Sequence, residues 1–566
     1  MKNIKNIPNI FLLIMSLFFA IQNINAQPIA PNFFGQNAWM PDTIGTTVLG
    51  GKLHKNWSNI KDSKAVVIRF GGIAPDRDRP TNFQYIKMID SVRAKGMEPI
   101  IQVPFHKWAY TAAQAAEIVT YINITKGRNI KYWVIGNEPD LDYAYTTAAQ
   151  VAAYFKPFAS AMKAVDPSIL TIGPECAWFN QGIINGLTDP NGPDDITGKD
   201  AAGHYYLDIV SFHSYAFDGS QTRDQVISKL SSANSLKDNL TYLNSRLATC
   251  NTTHGRSGNS ILKTAITEAN VGYKNSATDD LNGTGVNSFV GGQFLAELMS
   301  VGMKGGVNFM NIWSVVEGNN TQLNIGYIDA VTGNKKPAYY HFKMMAENFK
   351  GTFISGTTNL ANVKSFGSNS GQNITVMVMN QDLSNNYHYT VRLNGNAVGG
   401  TNPLKINVNA GVAVEYNDII PAQSTMLLVF NAQGGLVKKI EYSLAQQAVA
   451  NMPPVVTNFN NVATGTGEND NDLGTLKGFN VNVFPNPANS KFTVELDRKN
   501  PEEKKFEIEI FDLMGRLIYT KTSVFSERKQ EIDLSGNSIA EAVYIVRVNE
   551  KEDRDNTRSE KVVIFK

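Results

Sequence analysis

Two glutamates stand out because each closes a stretch that ought to be purely apolar. In "KYWVIGNEPD" residues 132–135 read as a buried strand that Gly136 and Pro139 break, leaving Asn137 and Glu138 at its carboxyl end. In "KTAITEAN" a second strand closes on Glu268. A carboxylate placed there costs solvation unless it is used or paired. Two carboxylates facing one another suit cleavage of a glycosidic bond: one acid protonates the leaving oxygen while the other attacks the anomeric carbon, with the pair about 5–5.5 Å apart when configuration is retained. The acid needs a raised pKa, from burial and from its negative neighbour. The nucleophile must stay ionised, helped by Arg69 and the Tyr215 hydroxyl. Glu138 then serves as acid in the first step and base in the second.

Elements that could bring such residues together follow from the alternation of the chain. Strand candidates are "NFFGQNAW", "AVVIRFGG", "PIIQVPFH", "YWVIGNEP", "ILTIGPE", "DIVSFHSYAF", "KTAITEAN" and "GVNFMNIWSV". Between them lie helical stretches such as "NFQYIKMIDSVRAKG" and "TTAAQVAAYFKPFASAMKAVD". This alternation predicts an α/β fold, a (β/α)8 TIM barrel over residues 27–345. An open doubly wound sheet would need a Gly-rich phosphate loop after its first strand, and "FFGQNAWMPD" is not one. Chemistry in such barrels sits at the carboxyl ends of the strands. There the sequence places Arg69 (second strand), His106 (third), Asn137 and Glu138 (fourth), His213 and Tyr215 (sixth), Glu268 (seventh) and Trp313 (eighth).

Taken in order, these residues resemble the retaining (β/α)8 glycosidases grouped as clan A of the glycoside hydrolases. "GNEPD" supplies that clan's Asn-Glu pair on Asn137 and Glu138, "ITEAN" its second glutamate on Glu268, "VIRFGG" its arginine on Arg69 and "NIWS" its tryptophan on Trp313; "HSY" adds His213 and Tyr215. The resemblance implies that Glu138 is the acid/base, Glu268 the nucleophile, Asn137 a partner of the sugar 2-hydroxyl and Trp313 the floor beneath the reacting sugar. It covers residues 32–345 and implies no cofactor.

Other residues keep two readings. His106, Trp39, Trp108 and Trp178 either stack on sugar rings or pack in the core. Glu175 and Glu317 also stand near strand ends, as structural or subsite residues. In "APDRDRP" the alternating charges of Asp76, Arg77, Asp78 and Arg79 are either a self-paired loop or, through Arg77 or Arg79, a grip on an anionic sugar substituent. No Cys/His cluster has zinc spacing and no carboxylate run has calcium-loop spacing.

Past the barrel the pattern shifts to short alternating strands with Asn and Gly turns, an antiparallel β-sandwich over residues 346–433. Residues 434–475, ending in "TGTGENDNDLG", read as a linker, and residues 476–566 as a small β-rich domain. That tail, with "VFPNPANSKFTVEL", "IEIFDLMGRLIYT", "VYIVRV" and a terminal "KVVIFK", resembles the type A sorting domain of the type IX secretion system. At the other end, Lys2 and Lys5 precede "IFLLIMSLFFAI" and a small residue at position 26, which marks residues 1–26 as a cleaved signal peptide, with no membrane span in the mature chain. A net charge of +2 over 566 residues speaks against a nucleic-acid surface. Cys176 and Cys250 read as ordinary thiols.

These features together predict a secreted or cell-surface retaining glycoside hydrolase whose partners are a polysaccharide or oligosaccharide and the type IX secretion machinery. The long segment Trp178–Tyr206 points to an endo-acting enzyme on polysaccharide. An exo-acting glycosidase on oligosaccharides, or a catalytically inactive glycan-binding barrel, are the alternatives.

Overall fold

The computed structural model describes residues 27–38, 53–77, 79–105, 110–142, 144–276, 279–317, 324–395 and 401–459, and most of 480–564. The signal peptide, Trp39, His106 and Trp108 lie outside the described residues. The chain divides into two compact units, residues 1–466 and 467–566.

In the first unit the eight expected strands close into a parallel barrel: β1 (Phe34–Asn37), β2 (Val67–Phe70), β3 (Glu98–Val103), β4 (Tyr132–Ile135), β5 (Leu170–Cys176), β6 (Ile209–Phe217), β7 (Lys263–Gly272) and β8 (Phe309–Ile312). β1 pairs with both β2 and β8, which completes the ring. Inside, an apolar plug of Val67, Ile100, Val134, Ile172, Ile209, Ala265 and Phe309 fills the lower part, so the polar residues nearer the strand ends have an impermeable base. Several of the surrounding helices start on the same short signal. Thr81–Gln84, Thr111–Gln114, Thr147–Gln150 and Thr222–Gln225 are capping boxes in which threonine and glutamine satisfy each other's free backbone N–H. These caps fix where each loop leaving the barrel rim turns back into a helix.

The β-rich part after the barrel, antiparallel except for the parallel pairing of Tyr387–Arg392 with Leu404–Val408, is larger than its sequence suggests. One sheet runs β14 (Glu415–Ile420), β12 (Tyr387–Arg392), β13 (Leu404–Val408), β9 (Thr352–Thr358), β10 (Val363–Asn369), β11 (Asn373–Asn380), β15 (Ser424–Asn431), β16 (Leu436–Ser443), β17 (Val455–Asn458). It curls, because β9 pairs with β10 along its first half and with β13 along its second. The curled halves enclose a core of Ile374, Val376, Val378, Tyr389, Ile406 and Leu428. The opposite face of β11 and β15 carries Met377, Met379, Leu427 and Val429, which belong to the same continuous core as the barrel helices. Burial on both faces explains why "ITVMVM" and "TMLLVF" are apolar but for one buried threonine each.

Two boundaries need correction. β16 and β17 extend the sheet to Asn458, so a linker beginning at residue 434 starts too early; the lysines of "LVKKIEYS" break the apolar alternation, yet Ile440 and Tyr442 are buried. The short strand Gln27–Pro28 pairs with Phe353 and Thr352 of β9, so the first described residues join the sandwich rather than the barrel.

The second unit contains a three-stranded and a four-stranded antiparallel sheet around one core that includes Phe492, Val494, Ile508, Ile532, Val546 and Val562.

Candidate active site

Six of the eight residues expected at the rim meet in one network. Arg69 ends β2 with no exposed surface, two positions after the inward-facing Val67, so it also points inward. Its Nη1 donates to Glu268 at 2.9 Å and to Asn37 at 3.1 Å; its Nη2 donates to Glu175 at 2.7 Å and Asn137 at 2.9 Å. The Tyr215 hydroxyl donates to the other Glu268 oxygen at 2.7 Å. The His213 ring lies between the two predicted catalytic acids, with Nδ1 2.8 Å from Glu138 and 3.5 Å from Glu268. Atoms of Glu138, His213 and Glu268 all fall within 4.8 Å of one another.

The strand ends are shaped to achieve this. On β7, strict alternation from the inward Ala265 would turn Thr267 in and Glu268 out. A register shift between Ile266 and Ala269 relative to β8 lets both residues face the interior. On β5 the alternation from Ile172 would likewise turn Glu175 outward, and a shift between Pro174 and Cys176 turns it in. Glu175 (φ 62°) and Glu138 (φ 38°) both take left-handed backbone, which L-residues rarely adopt outside functional sites. The Glu138 N–H donates to the Glu175 carbonyl at 2.9 Å, linking the two irregular strand ends.

Glu175, read from sequence as structural or subsite, is a central member. It is fully buried, accepts from Arg69 and from the Thr267 hydroxyl (2.8 Å), and lies 3.4 Å from His213 Nε2. Gln102 and Asn37 were not singled out by sequence; both sit in the strands among apolar neighbours and accept from Arg69. Gln102 in turn donates to Asp76, which assigns this part of "APDRDRP" to bracing the site. The side chains of Arg77 and Asp78 lie outside the described residues.

Electrostatics follow from crowding. Burial pushes the Glu268 pKa up, the charge of Glu138 adds to this, and His213 and Arg69 pull against it. Burial also opposes ionisation of Glu175, but Arg69 and His213 outweigh it and hold this carboxyl near 2. For His213 burial favours the neutral ring, yet Glu268, Glu138 and Glu175 together push its pKa up to about 10. The nucleophile candidate is closed in and the acid candidate is open: side-chain exposure is 5% for Glu268 and 16% for Glu138.

Trp313 is partly buried and packs over Gly72, where an added Cβ would lie 2.5 Å from the ring; Gly72 also has φ +93°, so glycine is required on both counts. Asn270, two residues after Glu268, donates to the carbonyls of Trp313 and Ile325 and so fastens this loop to β7. Glu317 hydrogen-bonds Ser314 and the Trp313 side chain, and burial pushes its pKa up to about 7. Trp178 is 48% exposed on the loop after β5, and Asp140 holds that loop through the Ala177 N–H (2.8 Å) and the Asn180 amide (3.0 Å). After the helix Gln181–Leu187 the segment lies at the other end of the barrel: Asp195 meets His254 at the end of its helix, and the Tyr206 carbonyl accepts from Thr171 near the start of β5. Cys176 and Cys250 are buried free thiols.

Residues 482–565 match the secretion system C-terminal sorting domain family. The chain therefore carries a sorting tail that directs it out of the cell or to its surface, and the secretion machinery is one of its partners. No curated protein matches the chain. Among solved structures it is similar to a Paenibacillus polymyxa xyloglucanase from glycoside hydrolase family 44, at 14% identity over 72% of this chain and 97% of that one, TM-score 0.48. It is also similar to a family 44 endoglucanase from Clostridium acetobutylium (15% identity, 71% and 97% covered, TM-score 0.47). A third likeness is to the bacterial orthologue of human α-L-iduronidase (10% identity, 95% and 98% covered, TM-score 0.45). Among the described residues no helix is long and apolar enough to cross a membrane.

Proposed function

We propose that this protein is a glycoside hydrolase that cleaves polysaccharide or oligosaccharide outside the cell by a retaining double displacement. The supporting observation is the closeness of the two carboxylates: oxygens of Glu138 and Glu268 lie within 4.8 Å, against roughly 6.5–9.5 Å where a water must fit between the two. Carboxylates this close repel one another when both are charged, and the His213 ring between them is placed to relieve that repulsion. In the first step Glu268 attacks the anomeric carbon, while a proton passes through Glu138 to the departing oxygen. The bond to the leaving sugar breaks as the glycosyl ester to Glu268 forms. In the second step a water gives its proton to Glu138, its oxygen bonds the anomeric carbon, and Glu268 leaves as carboxylate. Arg69 and Tyr215 hold Glu268 by both oxygens and receive its charge when the ester is cleaved. Asn137, held by Arg69, supplies a polar group beside the sugar, and Trp313 an apolar floor. Trp178, half exposed beside the acid/base loop, offers a face for the leaving-side sugar. With most of Trp178–Tyr206 at the far end of the barrel, that segment no longer argues for endo action.

The test is reducing-end release from plant and algal polysaccharides and their oligosaccharides, with Glu138→Ala and Glu268→Ala alongside. The proposal requires hydrolysis that both substitutions abolish, products of retained configuration, and recovery of a glycosyl azide when azide is added to the Glu138→Ala variant with an activated substrate. Activity that survives either substitution would sink it.

A further inference from the structure

Five ionisable groups at the rim form one alternating chain of charge. Glu138 Oε1 lies 2.8 Å from His213 Nδ1, and His213 Nε2 lies 3.4 Å from Glu175 Oε2. That same Glu175 oxygen takes Arg69 Nη2 at 2.7 Å, and Arg69 Nη1 reaches Glu268 at 2.9 Å. The second Glu268 oxygen returns to His213 Nδ1 at 3.5 Å, which closes the loop. Both ring nitrogens therefore face carboxylates. A neutral imidazole has one N–H and one lone pair, so it can satisfy only one side. A neutral ring would aim its lone pair at an oxygen that must then carry the proton itself.

We propose that His213 stores the catalytic proton for Glu138, and that Glu175, on the opposite ring nitrogen, is the positioning residue that keeps it there between turnovers. This rests on the glycosidase reading above. In the first step the proton moves from His213 Nδ1 to Glu138 and on to the leaving oxygen, which leaves a neutral ring. In the second step the proton released by water returns through Glu138 to Nδ1. The first step also turns the Glu268 carboxylate into an ester, so one negative and one positive charge vanish together. The buried site keeps the same net charge in both states, with Glu175 and Arg69 as the pair that does not change. Glu175 suits the fixed role because it is held ionised by Arg69, while Thr267 occupies its remaining oxygen. Besides these groups, the titratable neighbours among the described residues are Tyr215 on the ring's own strand, Glu317 beyond Glu268, Asp140 beside Glu138, and Cys176 and Tyr154 beside Glu175; the ring's pKa is pushed up to about 10.

Side-chain 15N spectra of the full-length protein test this without a substrate. Seven histidines are present, and loss of a signal in His213→Asn assigns the ring. The expected result is a doubly protonated His213 from pH 6 to 8. In Glu175→Gln its midpoint should fall by at least about one pH unit, a tenfold loss of proton affinity. On the substrate found in the panel, the alkaline limb of kcat/KM should move to lower pH by a similar amount. A neutral His213 ring at pH 7 in the natural protein overturns the inference even if Glu175→Gln does not fold, and leaves the glycosidase reading standing. A uniform drop in Glu175→Gln activity with the limb in place also overturns it, since that is what a merely structural carboxylate would give. A charged ring in a protein that hydrolyses no glycan overturns the glycosidase reading and with it the catalytic use of the proton.

Discussion

Two buried histidines show how differently the barrel rim and the seam beneath the sandwich are built. His341, on the helix Pro337–Asn348, is fully buried where the barrel meets the sheet. Its Nδ1–H donates to the Pro337 carbonyl at 2.9 Å and its Nε2 accepts from the Thr425 hydroxyl at 2.8 Å, which a neutral ring satisfies completely. Burial pushes this ring down to about 4, against the pull of its Pro337 hydrogen bond. His213 is equally buried, yet three glutamates reverse the effect and hold it charged. Burial by itself drives a histidine neutral; carboxylates placed at both nitrogens override it. Around His341 the seam is held by neutral hydrogen bonds, including those from Gln293 to the Asn380 and Ser424 carbonyls, while its charged contacts, Arg223 to the Gln381 carbonyl and Lys364 with Glu297, stand apart from one another. The rim concentrates charge that the fold must hold against desolvation.

The contrast predicts that damage at the rim always shows in catalysis, and in stability as well where a buried charge loses its partner, whereas damage at the seam shows in stability alone. The largest effect is chemical: Glu138→Ala or Glu268→Ala should lower turnover by at least about 10²–10⁴-fold with little loss of melting temperature, read from initial rates and thermal unfolding. Next is Arg69→Met, which leaves Glu175 and Glu268 buried without their cation and should cost roughly 3–5 kcal/mol in denaturant unfolding as well as activity. At the seam Thr425→Val removes the donor to His341 and should cost about 1–3 kcal/mol with the pH–rate profile unmoved.

The two rings should also tilt stability in opposite directions with pH. The folded pKa of His213 is raised from 6.5 to about 10, so its contribution is full below pH 6.5 and is lost as pH rises toward 10. That of His341 is lowered to about 4, so below pH 6.5 the unfolded chain gains protons that the folded chain refuses, and stability falls as pH drops toward 4. His341→Gln should flatten the acid side of a melting-temperature profile and leave the alkaline side alone; an unchanged acid side would contradict the assignment. The smallest effect is expected at Trp178. Loss of its ring in Trp178→Ala should raise KM on longer substrates two- to tenfold, from roughly 0.5–1.5 kcal/mol of stacking, with kcat held.

How far the sequence could be read depended on whether local pattern and tertiary need agreed. All eight barrel strands were legible because their apolar runs are bounded by Gly and Pro, and Arg69, His213 and Tyr215 follow plain alternation into the interior. Glu175 was not, because it turns inward only through a shift of strand register, whose local sign is the Gly173–Pro174 pair in "TIGPEC" rather than any polar pattern. Glu268 needs a similar shift, and only its place as the polar close of an apolar strand marks it in the sequence. The destination of Trp178–Tyr206 was also hidden. Its length and polarity would suit either end of a barrel, and only the contacts of Asp195 and Tyr206 place it away from the rim. β16 and β17 were lost to surface lysines, since a strand with one buried face and one wet face in a charged stretch resembles a loop.

The short strand at Gln27 and Pro28 bears on how the protein could be displayed. Gln27 pairs with Phe353 and its side chain approaches Gly306, in the turn that leads into β8 and so at the end of the barrel away from the rim. A tag, fluorophore or surface tether joined just before Gln27 would emerge from that far end, with the rim that carries the candidate site facing the other way. Immobilised by that route, the protein would present its pocket outward to glycans too large to diffuse.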